Sequence, residues 1–461
     1  MTYQDQTIKL SDIIIPKLQP IFNDKRYSNI IITSGRAGTK SSFGAILEIF
    51  NIISEENCSE VVLRKFHNKL KKTVYKEALR GINRLKINKS DFKITVSPME
   101  IKYKENGNAI YFTGNDSIDD TKGMIDENKP IKIVAIDELT EFFDKGEGED
   151  EIANIEATFI RGNDEDFRMF YFFNPPRNPK AEIMQWLDKM KQRPDTIHIH
   201  IDYRDVPIEW LGKKLIESAE ILKNLDEKMY NWLWLGLCTG IDELIYYMFD
   251  EEKHVEELTE EHIDHMNYLC VGVDYGQMNA TTYECFGIDE YDKILRGVDE
   301  YYYSGRDEGK QKSPSEYAKD FKEFKEKVQE ETKTKNTPDG LKIRYVFIDP
   351  SAKGLAEEIK RVCPDVFIKD AENDVALGIM RVQKLLSYQR IRYSPKQKML
   401  IQENYQYEYN KDLLDKGKEE PIKKHDHCED AERYLVMGVW KIIRRMLPFI
   451  NITEEGDTSA E

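Results

Sequence analysis

Lys40 and Ser41 follow a short turn that contains two glycines, Ser34-Gly35-Arg36-Ala37-Gly38-Thr39. This combination can bind phosphate. Successive backbone N–H groups at a helix start face the anion, the lysine ammonium reaches the β- and γ-phosphates of ATP, and the serine hydroxyl ligates Mg²⁺. Set against G-x-x-x-x-G-K-[ST], the stretch is degenerate: Ser34 and Thr39 stand at the two glycine positions, and Gly35 and Gly38 fall inside the loop. Simple turn chemistry yields similar stretches, so a second element has to support the reading. Asp137 and Glu138 supply it, as adjacent acids at the C-terminal end of the apolar run 131–136. Open α/β sheets place their ligands at that end. Asp137 suits Mg²⁺, held through water, and Glu138 suits the orientation or deprotonation of an attacking water. A strand that merely ends in a charged turn is the alternative. Asn174, kept extended by Pro175 after the apolar run 170–173, is a candidate γ-phosphate sensor. Arg36, inside the loop, is a candidate cis-acting arginine for the transferring phosphoryl group.

A second constellation lies in the later half. Asp274 closes the apolar run 271–273 and Asp349 closes 346–348, while Asp430 shares a helical stripe with His427, Ala431, Tyr434, Leu435 and Gly438. Three acids from two strand ends and a helix suit two Mg²⁺ or Mn²⁺ ions that grip a scissile phosphate. A lone carboxylate on an apolar stripe is costly to bury, and metal ligation shared with Asp274 removes that cost. Asp426 is the alternative third ligand. His427 reads as an auxiliary ligand or proton shuttle, or equally as an ordinary histidine at a helix start. His425, His427 and Cys428 lack the second ligand cluster that zinc would need.

Positioning these groups requires two blocks of structure. In the first, 30–33 reads as a buried parallel strand, and Phe43, Ile46, Leu47 and Phe50 mark one face of the helix that follows. Strands are expected at 61–63, 131–136 and 169–173, a helix at about 69–85, and a hairpin of 99–104 and 109–113 around Asn106-Gly107. This alternation implies a mainly parallel sheet with flanking helices. Residues 210–235 read as one amphipathic helix, with a break at 236–240. In the second block, strands 268–273, 281–288 and 293–303 precede a helix near 315–330, a strand at 344–348 and a closing helix at 427–446. The expected division is 1–240, 241–450 and a loose acidic tail, 451–461.

At 461 residues the chain can build two or three cored domains, and 11% aromatic content argues for folding throughout. A formal net charge of −17 disfavours nucleic acid as a partner, but charge is unevenly spread. Arg64, Lys65, Lys69, Lys71, Lys72, Lys76, Arg80, Arg84, Lys86, Lys89 and Lys93 are opposed only by Glu77 and Asp91 over that stretch. Such a stripe can hold a phosphate backbone, or can simply be a solvated helix face. The six cysteines show no C-x-x-C pair and read as reduced thiols of an intracellular protein. No apolar run has the length of a membrane span.

In their order these motifs resemble the large terminase subunits of tailed bacteriophages and prophages, particularly the defective-prophage type of Gram-positive hosts. The resemblance runs nearly end to end. It rests on Gly35-Arg36-Ala37-Gly38-Thr39-Lys40-Ser41-Ser42, Val61-Val62-Leu63-Arg64-Lys65, Ile110-Tyr111-Phe112-Thr113-Gly114, Ala135-Ile136-Asp137-Glu138 and Phe173-Asn174-Pro175. Gly272-Val273-Asp274-Tyr275-Gly276, Ile348-Asp349 and the run from Asp426 to Tyr434 complete it. The resemblance implies an α/β P-loop ATPase that translocates double-stranded DNA into a procapsid, joined to an RNase H-like nuclease that cuts concatemers. It implies a portal protein and a small terminase subunit as partners, a motor that is usually pentameric on the portal, and residence in the host cytoplasm with visits to the portal vertex. The trans-acting arginine is left open between Arg161, Arg168 and another. A helicase–nuclease of repair or restriction, and a non-catalytic scaffold, are the rival readings.

Overall fold

In a computed structural model of the chain, the described residues are 8–22, 24–115, 129–144, 146–160, 166–240, 242–276, 279–424 and 426–448. Arg161, His425 and the expected tail 451–461 lie outside them. The chain divides into two compact units, Met1–Ala219 with Lys228–Ile241, and Glu220–Glu227 with Asp242–Glu461.

Branched and aromatic runs become the central strands of the first unit. Its strands are β1 (Asn29–Ser34), β2 (Ser59–Arg64), β3 (Phe92–Val96), β4 (Met99–Tyr103), β5 (Ala109–Gly114), β6 (Ile131–Asp137), β7 (Arg168–Phe173) and β8 (Thr196–Ile201). They form one sheet in the order β3-β4-β5-β2-β6-β7-β1-β8, with β3 and β4 antiparallel to their neighbours and the other pairs parallel. Strand periodicity sorts the core into two layers. Ile30, Ile32, Phe170 and Phe172 pack on one face with Phe43 and Ile46, while Ile31, Met169, Tyr171 and Phe173 face Phe142, Ile155 and Trp186 on the other. The helix Lys40–Ser54 lies on the first face. Helix Val74–Arg84 packs on it where Gly81 leaves room, since a Cβ there would stand 2.6 Å from the Ala45 carbonyl oxygen.

Two expected helices are broken. Residues 69–85 form His67–Leu70 and Val74–Arg84, interrupted where Thr73 takes φ −113°, ψ −102°. Residues 210–235 lie across three helices, Ile208–Leu211, Lys213–Leu225 and Glu227–Leu233. Gly212 at φ +79° causes the first break. The second falls at Asp226, whose carboxylate accepts from Tyr247 and Ser387 hydroxyls at 3.3 and 2.6 Å, which places Glu220–Glu227 within the second unit.

The second unit is built on β9 (Met266–Asp274), β10 (Ala280–Asp289), β11 (Ile294–Ser304), β12 (Ile343–Ile348), β13 (Phe367–Asp370) and β14 (Ile391–Arg392), in the order β13-β12-β9-β10-β11-β14. β9, β10 and β11 form an antiparallel meander, and β12 runs parallel to β9. Asp274 and Asp349 therefore emerge at one edge. Helix Pro314–Glu331 starts with a Ser313/Glu316 capping box and buries Tyr317, Phe321, Phe324 and Val328. Helix His427–Ile443 crosses the sheet at backbone distance: a Cβ on Gly272 would collide with the Ala431 carbonyl, and one on Gly438 with the Phe347 ring. Among the described residues no helix is long and apolar enough to cross a membrane.

Gly272→Ala is expected to push this helix off β9 and destabilise the second unit by roughly 1–3 kcal/mol, the usual cost of overpacking. Differential scanning calorimetry checks it; an unchanged profile would mean that the helix does not depend on that approach.

Candidate active sites

Between β1 and the helix Lys40–Ser54, the loop turns at Ala37 (φ +59°) and Thr39 (φ +65°), not at its glycines. Gly35 is needed for space instead, because a Cβ there would collide with the Trp234 carbonyl. The N–H groups of Gly35 and Arg36 donate to the carbonyls of Ile201 and Leu233 at 3.2 and 2.9 Å. Among the described residues, those of Ala37 through Ser41 meet no acceptor and are free for an anion. Lys40 is buried, and its Nζ donates to Asn174 Oδ1 at 2.5 Å and stands 3.8 Å from Glu138 Oε1. Ser34 Oγ donates to the same Asn174 oxygen at 3.2 Å. Lys40, Ser34, Asn174 and Glu138 are thus brought together at the ends of β1, β7 and β6. Ser41 is exposed on the first helical turn and Arg36 is half-buried in the loop.

Asp137 is 8% exposed, and burial, with the neighbouring Glu138 charge, pushes its carboxyl up to about 6 against the pull of Arg64. Arg64 Nε lies 3.9 Å from Asp137 Oδ2 and its Nη2 lies 3.2 Å from Glu141 Oε1. Glu138 holds φ +53°, a strained setting for a residue with a Cβ and one that clusters at active sites. The basic stripe needs correction here. Arg64 and Lys65 are buried, Lys65 Nζ binds Glu151 at 2.8 Å, and Lys69 pairs with Glu141. Lys71, Lys72, Lys76, Arg80, Lys86, Lys89 and Lys93 are exposed. Of the two named trans-acting candidates, Arg168 is buried in β7 with its guanidinium over Phe170, out of reach of another subunit.

In the second unit, His427 Nδ1 lies 2.8 Å from Asp274 Oδ2, and this partner raises the imidazole above its usual range. Burial lifts Asp274 itself, His427 opposes the rise, and the charges of Asp430 and Asp426 add to it. Asp349 is held low despite some burial, by the Ser351 N–H at 2.7 Å and the Tyr434 hydroxyl at 3.3 Å, with Asn373 donating at 3.0 Å. Asp430 is half-buried and bonded to the buried Arg433. Burial, and after it the charges of Asp430, Asp274 and Asp349, push the Tyr434 hydroxyl up. The three acids do not close on a point. The sets of three ligand atoms lying within 4.8 Å are, among the described residues, His265/Asp289/Asp292 and Glu284/Glu300/Cys428. Like charges separate, and each expected ligand takes its own donor: His427, Ser351 or Arg433. The donor set, carboxylates with an imidazole beside them, fits a hard divalent cation.

Residues 26–237 match the family model described as phage terminase large subunit, and residues 274–437 match that of the terminase RNAseH like domain, together more than three quarters of the chain. The chain belongs to the phage large terminase family. The gap between the two matches, 238–273, falls where the second unit begins. The terminase large subunit of Bacillus phage SPP1 is 24% identical over 277 residues, 58% of this chain and 63% of that protein, so the match spans less than two thirds of the relative's length. The large terminase of a thermophilic bacteriophage shares the fold with a TM-score of 0.73 at 22% identity, covering 92% of this chain and 99% of that one. Structures of that thermophilic phage protein with ADP and with ATP-gamma-S give TM-scores of 0.71 and 0.70 at 22% and 21% identity, covering 93% and 92% of this chain and 99% and 98% of those.

Arg64 escaped the sequence analysis as the cation shared by Asp137 and Glu141. Leu63 pairs with Ile136 across the parallel strands β2 and β6, so the last residues of the two strands, Arg64 and Asp137, had to be neighbours. Arg64→Met takes the guanidinium away from buried Asp137 and leaves Glu141 with Lys69 alone, and is expected to destabilise the first unit by about 3–5 kcal/mol. Lys71→Ala, at an exposed site in the same tract, should stay within about 0.5 kcal/mol of wild type. Thermal melts of both variants decide it; an Arg64→Met melt like wild type would exclude a supporting role.

Proposed function

We propose that the chain is the catalytic subunit of a DNA-packaging motor, hydrolysing ATP in its first unit and cutting double-stranded DNA in its second. One observation carries the reading: the buried ammonium of Lys40 is held between Asn174 and Glu138, beside a run of free N–H groups at a helix start. In this reading the β- and γ-phosphates of ATP lie on the N–H groups of residues 37–41, and Lys40 transfers from Asn174 to the phosphate. Asn174, released, registers the γ-phosphate. Ser41 and Asp137 hold Mg²⁺, which when bound neutralises charge on the phosphate oxygens. Glu138 orients the attacking water, and Arg36 stabilises charge on the transferring group. The ADP and ATP-gamma-S complexes of the thermophilic phage protein support nucleotide as ligand.

In the nuclease unit, Asp274, Asp349 and Asp430 hold two Mg²⁺ or Mn²⁺ ions, which when bound supply an activated water and stabilise the leaving oxygen. His427 takes up or returns a proton at the same edge. The exposed lysines and Arg80 of 71–93 offer the DNA backbone a cationic face. The portal protein and a small terminase subunit are the proposed partners, with the motor assembling as a pentamer on the procapsid from the host cytoplasm. A helicase–nuclease would need a second motor domain, and the mixed sheet of the second unit speaks against one.

Lys40→Ala is expected to abolish ATP hydrolysis and leave Mn²⁺-dependent plasmid cleavage largely intact. Asp430→Ala should do the reverse, and Mn²⁺ should raise the melting temperature of wild type by more than that of this variant. Loss of both activities in either variant would refute the separation of the two chemistries. Arg36→Ala should lower ATP turnover by about 10³-fold or more and spare nucleotide affinity. Unchanged turnover would reduce Arg36 to loop structure.

A further inference from the structure

We propose that Glu403, with Glu300 behind it, is a positioning residue for the nuclease acids: it caps the helix that carries His427 and Asp430, and so frees Asp426 from that duty. The inference rests on the nuclease reading above.

The opening N–H groups of a helix need acceptors from outside it. An aspartate at the N-cap position ordinarily supplies one with its own carboxylate. Asp426 occupies that position before helix His427–Ile443, yet its side chain makes no capping bond, and its backbone (φ −128°, ψ 8°) lies outside the usual extended setting. The acceptor comes instead from a different helix. Glu403, buried at 2% exposure in the last turn of Lys398–Asn404, accepts the N–H groups of Cys428 and Glu429 on a single oxygen, at 2.7 and 3.2 Å.

The same device recurs one step back. Helix Lys398–Asn404 also lacks a side-chain cap from its own N-cap residue, Gln397. Gln397 is committed elsewhere, donating to Glu284 at 3.0 Å and accepting from the Ser394 N–H at 3.1 Å. Glu300 of β11 takes the duty, accepting from the Met399 and Leu400 N–H groups at 2.7 and 3.1 Å. A chain of two borrowed caps thus runs from the sheet to one short helix and on to the helix of the acids. It fixes where the first turn of His427–Ile443 sits relative to Asp274 on β9. Asp426, whose side chain makes no cap, accepts the Asp430 N–H on its backbone carbonyl at 2.8 Å and so stands one helical turn before Asp430. That placement suits a fourth oxygen donor facing a cation.

The full chain tests this by Mn²⁺ titration calorimetry and amide hydrogen exchange over 427–431. Glu403→Ala is expected to weaken Mn²⁺ binding about tenfold or more, as loss of a ligand-orienting partner does, and to speed exchange of the Cys428 and Glu429 amides. ATP hydrolysis by the first unit should be unchanged. Glu403→Gln keeps an oxygen at the same place and should restore binding to within about threefold of wild type. A folded Glu403→Ala protein that binds Mn²⁺ as wild type does overturns the proposal, as does a Glu403→Gln protein no better than Glu403→Ala. Should Glu403→Ala fail to fold, Glu403→Asp carries the same test, and wild-type Mn²⁺ affinity in that variant overturns the proposal. If wild type itself neither binds Mn²⁺ nor cuts plasmid DNA, the nuclease reading fails first, and the two failures are told apart.

Discussion

Parallel pairing sets the direction of the strands that carry the chemistry, and the two candidate sites depend on it. β1, β7 and β6 lie side by side and run the same way, so Ser34, Asn174 and Asp137 leave the sheet at one edge. β9 and β12 do the same for Asp274 and Asp349. Parallel strands require crossovers, and a crossover helix begins near the same edge. That geometry brings the start of Lys40–Ser54 against Asn174. In the second unit the closing helix must be brought over β9 from elsewhere, and the bare backbone at Gly272 lets it approach. An antiparallel arrangement of either set would scatter these side chains to opposite ends of the sheet.

Burial of charge then decides which partners these groups need. Asp137 keeps Arg64 within reach, Asp274 keeps His427, and Asp430 keeps Arg433. Other acids are treated differently. Burial pushes Glu48 and Glu432 up to about 8, and Glu60, Glu284 and Glu429 rise well above the carboxylate range. In each of these groups burial disfavours the charged form, so they differ from the surface acids that make up most of the formal charge of −17.

Much of this was legible in the sequence, for physical reasons. Central parallel strands are buried on both faces, and continuous runs such as Ile30-Ile31-Ile32 announce them. The helix 315–330 declared itself by Tyr317, Phe321, Phe324 and Val328, all of which are buried. Edge strands were harder. β8 reads Thr-Ile-His-Ile-His-Ile and owes its place to long-range bonds: Thr33 Oγ1 lies 2.8 Å from His198 and 2.9 Å from His200, and His200 donates to the Leu235 carbonyl at 2.7 Å. β3 was hidden in a tract chosen for its lysines. Arg64 and Lys65 looked like surface cations because charge is visible in a sequence and burial is not. The acids of the second site were legible as candidates, but the donor that each would take, Arg433 or Ser351, depended on packing between distant segments.

The passage of residues 220–241 has a consequence for inheritance. Glu220–Glu227 belongs to the nuclease unit and the next stretch, Lys228–Ile241, returns to the ATPase unit before the chain leaves it for good. No single recombination breakpoint therefore hands on both units built only of their own parental residues. A crossover before 220 gives the ATPase unit a foreign return segment, and one after 241 gives the nuclease unit a foreign Asp226. The two modules are stitched through each other, so wherever one is exchanged the seam has to travel with it.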